Sequence, residues 1–249
     1  MKFFACCLAL ITLFGCGPAL SPSATIRVAI RSVHGVTIKK LPLEKYLMGV
    51  LAGEVPADWP LEALKAQAVA SRTYALYRKN HPRSEKYDLE ASTHDQVFGQ
   101  KIKNRKLFAQ ALRETVDQFL EEDGKIVPAF FHSCCGGFSE SGAHVWPEVT
   151  EQAVSSSKGD PYCEACPRYH WELQLNLSEL NDLVSPRLEN RKPIVRIEIE
   201  SRNESGRVTS LVLHTKDHKT LHMAAPKFRE AIGYTRLLST LFDITQEDS

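Results

Sequence analysis

Polar and apolar residues alternate along IRVAIRS (26–32), with Ile26, Val28 and Ile30 on one face, which predicts a strand. GVTIKKL (35–41) is its expected hairpin partner. From residue 43 the period changes: LEKYLMGVLAG (43–53) and, more strongly, 60–79 carry apolar positions at helical spacing. Asp58 or Trp59 is placed to cap the second of these helices, with Pro60 in its first turn, where a missing N–H costs little. KLFAQALRETVDQFL (106–120) predicts a third helix, with Leu107, Ala111, Val116 and Leu120 among its apolar positions. GKIVPAFFHS (124–133) reads as a strand after an EEDG turn, and 147–168 as loop. Two alternating runs flank Asn203-Glu204-Ser205-Gly206 within 193–215, a hairpin signal, and PKFREAIG (226–233) predicts a short helix. No internal repeat is visible. Helices and strands mix without regular alternation, which predicts a single compact α+β domain over 26–249 rather than a parallel doubly wound sheet.

One polar residue interrupts the first helical pattern. A helix turns about 100° per residue, so Leu43 and Leu47 each lie about 20° from Glu54 and Val50 about 40°. If the helix runs through, the carboxylate sits on the apolar stripe, where desolvation raises its pKa and suits it to general acid work. If Gly53 stops the helix, Glu54 is a solvated turn residue. Periodicity alone leaves both open. On the next helix Lys65 and Arg72 are two turns apart and share a face with Ala68, Val69 and Ala75. They either aim at an anion or snorkel at a rim.

Composition narrows the class. The net charge is +1 with no block of like charge, which gives no support to bulk nucleic-acid binding. MKFFACCLALITLFGC opens with one lysine and an apolar run too short to span a bilayer, the pattern of a secretory leader. Its end, Leu13-Phe14-Gly15-Cys16, resembles the bacterial lipoprotein box. That predicts a leader over 1–15, lipid on Cys16, a small and Pro-rich tether over 16–25, and a membrane-anchored lipoprotein exported to the cell envelope. Cys134, Cys135, Cys163 and Cys166 then remain in an exported domain, where disulfides persist. HSCCGG and PYCEAC also suit a structural zinc held by Cys135, Cys163 and Cys166, so disulfide and metal both stay open.

Longer motifs speak more specifically. YLMGVLAGEVPADWPLEALKAQAVASRTYAL (46–76) resembles the signature of the sporulation stage II protein D family, also called SpoIID/LytB. YDLEASTHDQVFGQ (87–100), AFFHSCCGGFSESGAHVW (129–146) and the run from GRVTSLVLHT to FREAIGYTRLLSTLFDI resemble further family segments in the same order. The resemblance implies lytic transglycosylase activity on glycan strands of peptidoglycan from which an amidase has removed the peptides. It needs no cofactor, and it gives 1,6-anhydro-N-acetylmuramic ends. The alternative is a glycan-binding module that stimulates a partner amidase.

Mapped onto this chain, the family's catalytic acid matches Glu54 and its helix cations match Lys65 and Arg72. His94, Gln96, His132, Ser133, Gly136 and Gly137 fall in the other motifs and are expected to contact substrate. Some relatives hold zinc with cysteines around the position of His94. Here Glu90 and Asp95 flank it instead, a poorer donor set. One carboxylate suffices for such chemistry, because the attacking hydroxyl belongs to the substrate itself.

Overall fold

The computed structural model describes residues 24–147, 159–188 and 192–246. The expected leader, Cys16 and most of the expected tether lie outside them. The described residues form two compact units, one ending at Phe131 and the other running on from His132.

In the first unit, β1 (Thr25–Ser32) and β2 (Gly35–Pro42) form the expected antiparallel hairpin. β3 (Leu89–Glu90) adds to β1 in parallel, giving the order β2-β1-β3. Two arginines of β1 hold that third strand. Arg27 donates to Asp88 through its backbone N at 2.7 Å and its side chain at 2.9 and 2.6 Å. Arg31 pairs with Glu90 at 2.7 Å. Helices α1 (Leu43–Glu54), α2 (Leu61–Asn80) and α3 (Arg105–Glu114) pack around one apolar cluster. Tyr46, Leu47, Val50 and Leu51 of α1 lose all solvent contact, together with Leu64 and Ala68 of α2. Fully burying such aliphatic side chains stabilises by about 1.5–3 kcal/mol each, so α1 is anchored tightly along one stripe.

Three expectations change at element ends. Pro60 itself occupies the N-cap position of α2 without a side-chain bond, so neither Asp58 nor Trp59 caps it. α3 stops at Glu114 rather than 120. Thr115 folds its hydroxyl back onto the Ala111 carbonyl at 2.8 Å, and Asp117 takes φ 61°, which a helix cannot continue through. Val116 and Leu120 consequently lie exposed. The strand foreseen over 124–133 shrinks to β5 (Lys125–Ile126), paired with β4 (Glu121–Glu122) across Asp123 and Gly124. Both turn residues have positive φ, as a two-residue hairpin requires, and Pro128 lacks the N–H that a longer ladder needs.

The second unit is built on an antiparallel meander, β6 (Ile194–Arg202), β7 (Val208–Thr215) and β8 (Thr220–Ala224). The turn at 203–206 was expected; β8 was not. α4 (Gly142–Val145) is a single turn, while α5 (Leu177–Val184) and α6 (Ala225–Ile232) pack on the sheet's apolar face around Leu211, Leu213 and Phe228. α5 was missed although its start is written in the sequence: Asn176 accepts the Glu179 N–H at 2.9 Å, an N-cap three residues ahead of a glutamate. Both units combine helices with antiparallel strands, which is the α+β class expected. Among the described residues no helix is long and apolar enough to cross a membrane.

Candidate functional site

Helix α1 runs through Gly53 and ends on Glu54 itself. The glycine is there for a close approach, not as a stop. A Cβ at Gly53 would lie 2.5 Å from the Val97 carbonyl oxygen and 2.9 Å from the Gly99 nitrogen. Gly99 has the same constraint against the backbone of Ala52 and Gly53. The two glycines therefore let segment 97–99 lie directly on the last turn of α1. Gly99 N–H bonds the Gly49 carbonyl at 2.8 Å, and the Phe98 ring stacks on Tyr46 with centroids 5.8 Å apart. With that segment in place, the Val97 N–H donates to Glu54 Oε1 at 2.5 Å.

The carboxyl of Glu54 is half-buried. Burial pushes its pKa above the ordinary glutamate value, and the Val97 hydrogen bond opposes the shift only in part. This is the desolvated alternative of the two that periodicity left open.

The segment that reaches Glu54 is itself fixed from behind. The Asp95 side chain has no solvent exposure. Its Oδ1 accepts from Tyr74 at 2.6 Å and from Arg83 at 3.0 and 3.1 Å, with Arg78 at 3.7 Å; its Oδ2 accepts the Glu90 N–H at 2.8 Å. Burial and the bond to Asp95 raise the Tyr74 phenol well above its usual pKa, so it stays a donor. In the motif Asp95 stands out only as a flank of His94; in the fold it is the hub of this network.

Several expected contacts take other roles. Arg72 is fully buried; its guanidinium bonds both oxygens of Glu44 at 2.8 and 3.0 Å and the Gln118 carbonyl at 3.2 Å. It staples α2 to α1 and has no surface to offer a substrate. Gln96 is likewise buried, between the Tyr46 hydroxyl at 3.1 Å and the Ser71 carbonyl at 3.2 Å. Both are corrections to the substrate-binding expectation, with one physical cause: polar groups shut inside the core must find partners there. Lys65 pairs with Glu62 at 2.9 Å and Glu114 at 3.3 Å. His94 is exposed on the loop, where its carbonyl accepts from Arg83. Glu90 and Asp95 are held by Arg31 and Arg83, so the flanks of His94 are engaged with cations rather than open to a metal.

In the second unit, Gly136 and Gly137 take φ 69° and 90°, a reversal that L side chains resist. His132 and Ser133 are exposed, and Ser133 lines a cavity of about 210 Å³ with Tyr169, Trp171 and Arg168. Cys135 and Cys163 approach one another, but their third neighbour is Asp160, not Cys166. Cys166 instead lies against Cys134. No disulfide joins any of these four cysteines in the structure.

Residues 32–121 match the family model of the stage II sporulation protein SpoIID. This part of the chain is a SpoIID domain. The SpoIID match falls in the first unit, while residues 148–249 match a separate model, a domain of unknown function (DUF8618). Among similar proteins is an uncharacterised protein of Brachyspira hyodysenteriae, 29% identical over 216 residues, which are 86% of this chain and 56% of that one. An amidase enhancer of Bacillus subtilis is 30% identical over 144 residues, 56% of this chain and 19% of the relative. Stage II sporulation protein D of Bacillus amyloliquefaciens is 25% identical over 220 residues, 82% of this chain and 62% of the relative. The chain thus spans less than two thirds of each of these relatives. Glu54, Val97 and both contact glycines fall inside the SpoIID match.

Proposed function

We propose that this protein remodels bacterial cell wall, and that its SpoIID domain is a lytic transglycosylase using Glu54 as its one acid and base. The observation that carries the reading is the half-buried carboxyl at the end of α1, its pKa raised by desolvation while Val97 fixes one oxygen. A carboxylic acid kept protonated toward neutral pH suits proton donation to a leaving group. Oε1 accepts from Val97, which leaves Oε2 to carry the proton. Glu54 protonates the glycosidic oxygen between N-acetylmuramic acid and N-acetylglucosamine. It then takes the proton of the muramic C6 hydroxyl as that oxygen bonds to C1. The product is a 1,6-anhydro end, and no water is consumed. Because nucleophile and electrophile share one sugar, proximity supplies part of the rate and no second carboxylate is required.

The reading rests on Glu54 and not on the helix cations, since Arg72 is enclosed and Lys65 already faces two carboxylates. Its substrate is glycan stripped of peptides, and the leader-like residues 1–15 with Cys16 would place it, lipid-anchored, in the cell envelope.

The test is incubation of the folded chain with peptide-stripped glycan beside Glu54→Gln, with mass spectrometry of the products. Anhydro-muramic ends are expected from the wild type, falling by about 10²–10⁴-fold in the variant, the usual worth of a general acid. Equal yields from both overturn the assignment. The name of the amidase enhancer relative supports a second reading, in which the domain raises the rate of a separate N-acetylmuramoyl-L-alanine amidase. Intact strands from a folded wild type that nevertheless accelerates such an amidase would select it.

A further inference from the structure

In the second unit Cys135, Asp160 and Cys163 turn three donor atoms toward a common point. The two sulfurs are 3.1 Å apart, and Asp160 Oδ2 lies 3.3 Å from Cys135 Sγ and 3.2 Å from Cys163 Sγ. The corners of a triangle with such nearly equal edges lie about 1.9 Å from its centre. A cation about 1.3 Å above that plane lies about 2.3 Å from both sulfurs, and opening the 3.1 Å separation of the sulfurs toward about 3.7 Å gives the tetrahedral angle that zinc prefers. We propose that these three residues hold one divalent metal ion of the zinc class, with the fourth position left to water.

The donor chemistry selects the ion. Two thiolates favour zinc-like cations over magnesium or calcium, which prefer all-oxygen shells. The surrounding bonds orient the ligands as a metal site requires. Asp160 Oδ1 accepts the Tyr162 N–H at 3.0 Å, which aims Oδ2 at the sulfurs. Asp160 N–H bonds the Gly137 carbonyl at 2.7 Å, and Arg207 Nη2 holds the carbonyls of Cys135 and Phe138, each at 2.9 Å. The reversal at Gly136 and Gly137 is thereby locked to the ligand-bearing segment on both sides. Cys135 also lines the cavity of about 210 Å³, which gives an ion a way in.

A Cys135–Cys163 disulfide explains the cluster less well. Oxidation would consume both S–H groups and leave Asp160 Oδ2 against two sulfurs that no longer donate. Metal binding gives that oxygen a partner and sends two thiol protons to solvent as the thiolates form. Cys134 and Cys166 stand outside the triangle as a separate pair. They are not ligands, although sequence spacing alone had put Cys166 in the set.

Co²⁺ titrated into the full chain, kept reduced by a phosphine, tests this. One equivalent is expected to produce thiolate-to-cobalt charge-transfer absorption, displaced by Zn²⁺. Asp160→Asn, Cys135→Ser and Cys163→Ser should each lose at least about 100-fold in affinity, the upper end of what changes merely supporting a ligand cost. Cys134→Ser and Cys166→Ser should keep the spectrum. Asp160→Asn is nearly isosteric, so it reports even if a cysteine variant misfolds. Unchanged affinity in folded Asp160→Asn, loss in Cys166→Ser, or no absorption in the reduced wild type each overturns the site. So does a Cys135–Cys163 disulfide that forms in the presence of excess Zn²⁺.

Discussion

Replacing Gly53 by alanine separates the close-approach reading from simple helix preference, because the two predict opposite signs. On propensity alone, alanine in α1 should stabilise by at most about 1 kcal/mol. In the structure the new methyl would meet the Val97 carbonyl oxygen at 2.5 Å, its carbon at 2.8 Å and the Gly99 nitrogen at 2.9 Å. These are backbone atoms and cannot swing aside. Overpacking against them belongs at the upper end of its usual cost, about 3 kcal/mol. Less the helix gain, about 2 kcal/mol of destabilisation is expected in urea unfolding. The strain is relieved only if segment 97–99 lifts from α1. That movement stretches the Val97 bond to Glu54 and admits water to the carboxyl. Desolvation is the larger influence on this group, so its pKa should fall toward the ordinary glutamate value despite the lost hydrogen bond. Carboxyl-carbon NMR titration reads that shift. A Gly53→Ala protein at least as stable as wild type, with Glu54 titrating unchanged, would refute the packing argument.

Three further outcomes follow from the same geometry. Glu54 has a folded pKa above its unfolded one, so its contribution favours folding at low pH and is lost as pH rises through the folded pKa. Glu54→Gln should remove that slope and be the more stable protein above this pKa, as paired urea melts across pH will show. Glu44→Ala leaves the buried Arg72 guanidinium with the Gln118 carbonyl, and because the Glu44 side chain is 42% exposed and water can replace part of it, the change should cost about 1–3 kcal/mol; if Arg72 were instead a ligand-facing group, denaturation would barely register the change. Asp95→Asn keeps the size of the hub but drops its charge before Arg83 and Arg78. Hydrogen exchange at the Val97 amide should rise by at least about tenfold, for a loss of about 1.4 kcal/mol in local stability, while β6–β8 exchange as before.

Much of this architecture was legible because local patterns are strong where one face is buried. The hairpins of β1–β2 and β6–β7 and the course of α1 and α2 follow directly from alternation and helical spacing. The failures sit where a single bond decides. Thr115 turning back on Ala111 ends α3, and Pro128 ends β5; neither event leaves a periodic trace. At the site, Glu54 was legible as a residue, through its place on the apolar stripe and through the family motif. Its environment was not, because the decisive partner is a main-chain N–H 43 positions away. Arg72 and Gln96 show the converse. They belong to recognisable motifs, yet in this chain they serve the staple between α1 and α2 and the hydrogen bonds of the core. Asp160 was passed over because the cysteines drew attention to their own spacing, while a carboxylate becomes a candidate ligand only once the fold sets it beside them.

The distance in sequence between Glu54 and Val97 has a consequence for the order in which the protein matures. β1, β2 and α1 are contiguous and can form by local contacts, whereas docking of the 97–99 segment on α1 closes a longer loop, a contact of higher contact order. A chain stopped short of that docking has the same helix and the same glutamate, titrating like any exposed carboxylate. Its acid strength is acquired on closure of the loop, which makes the titration of Glu54 a reporter of whether the first unit has finished folding.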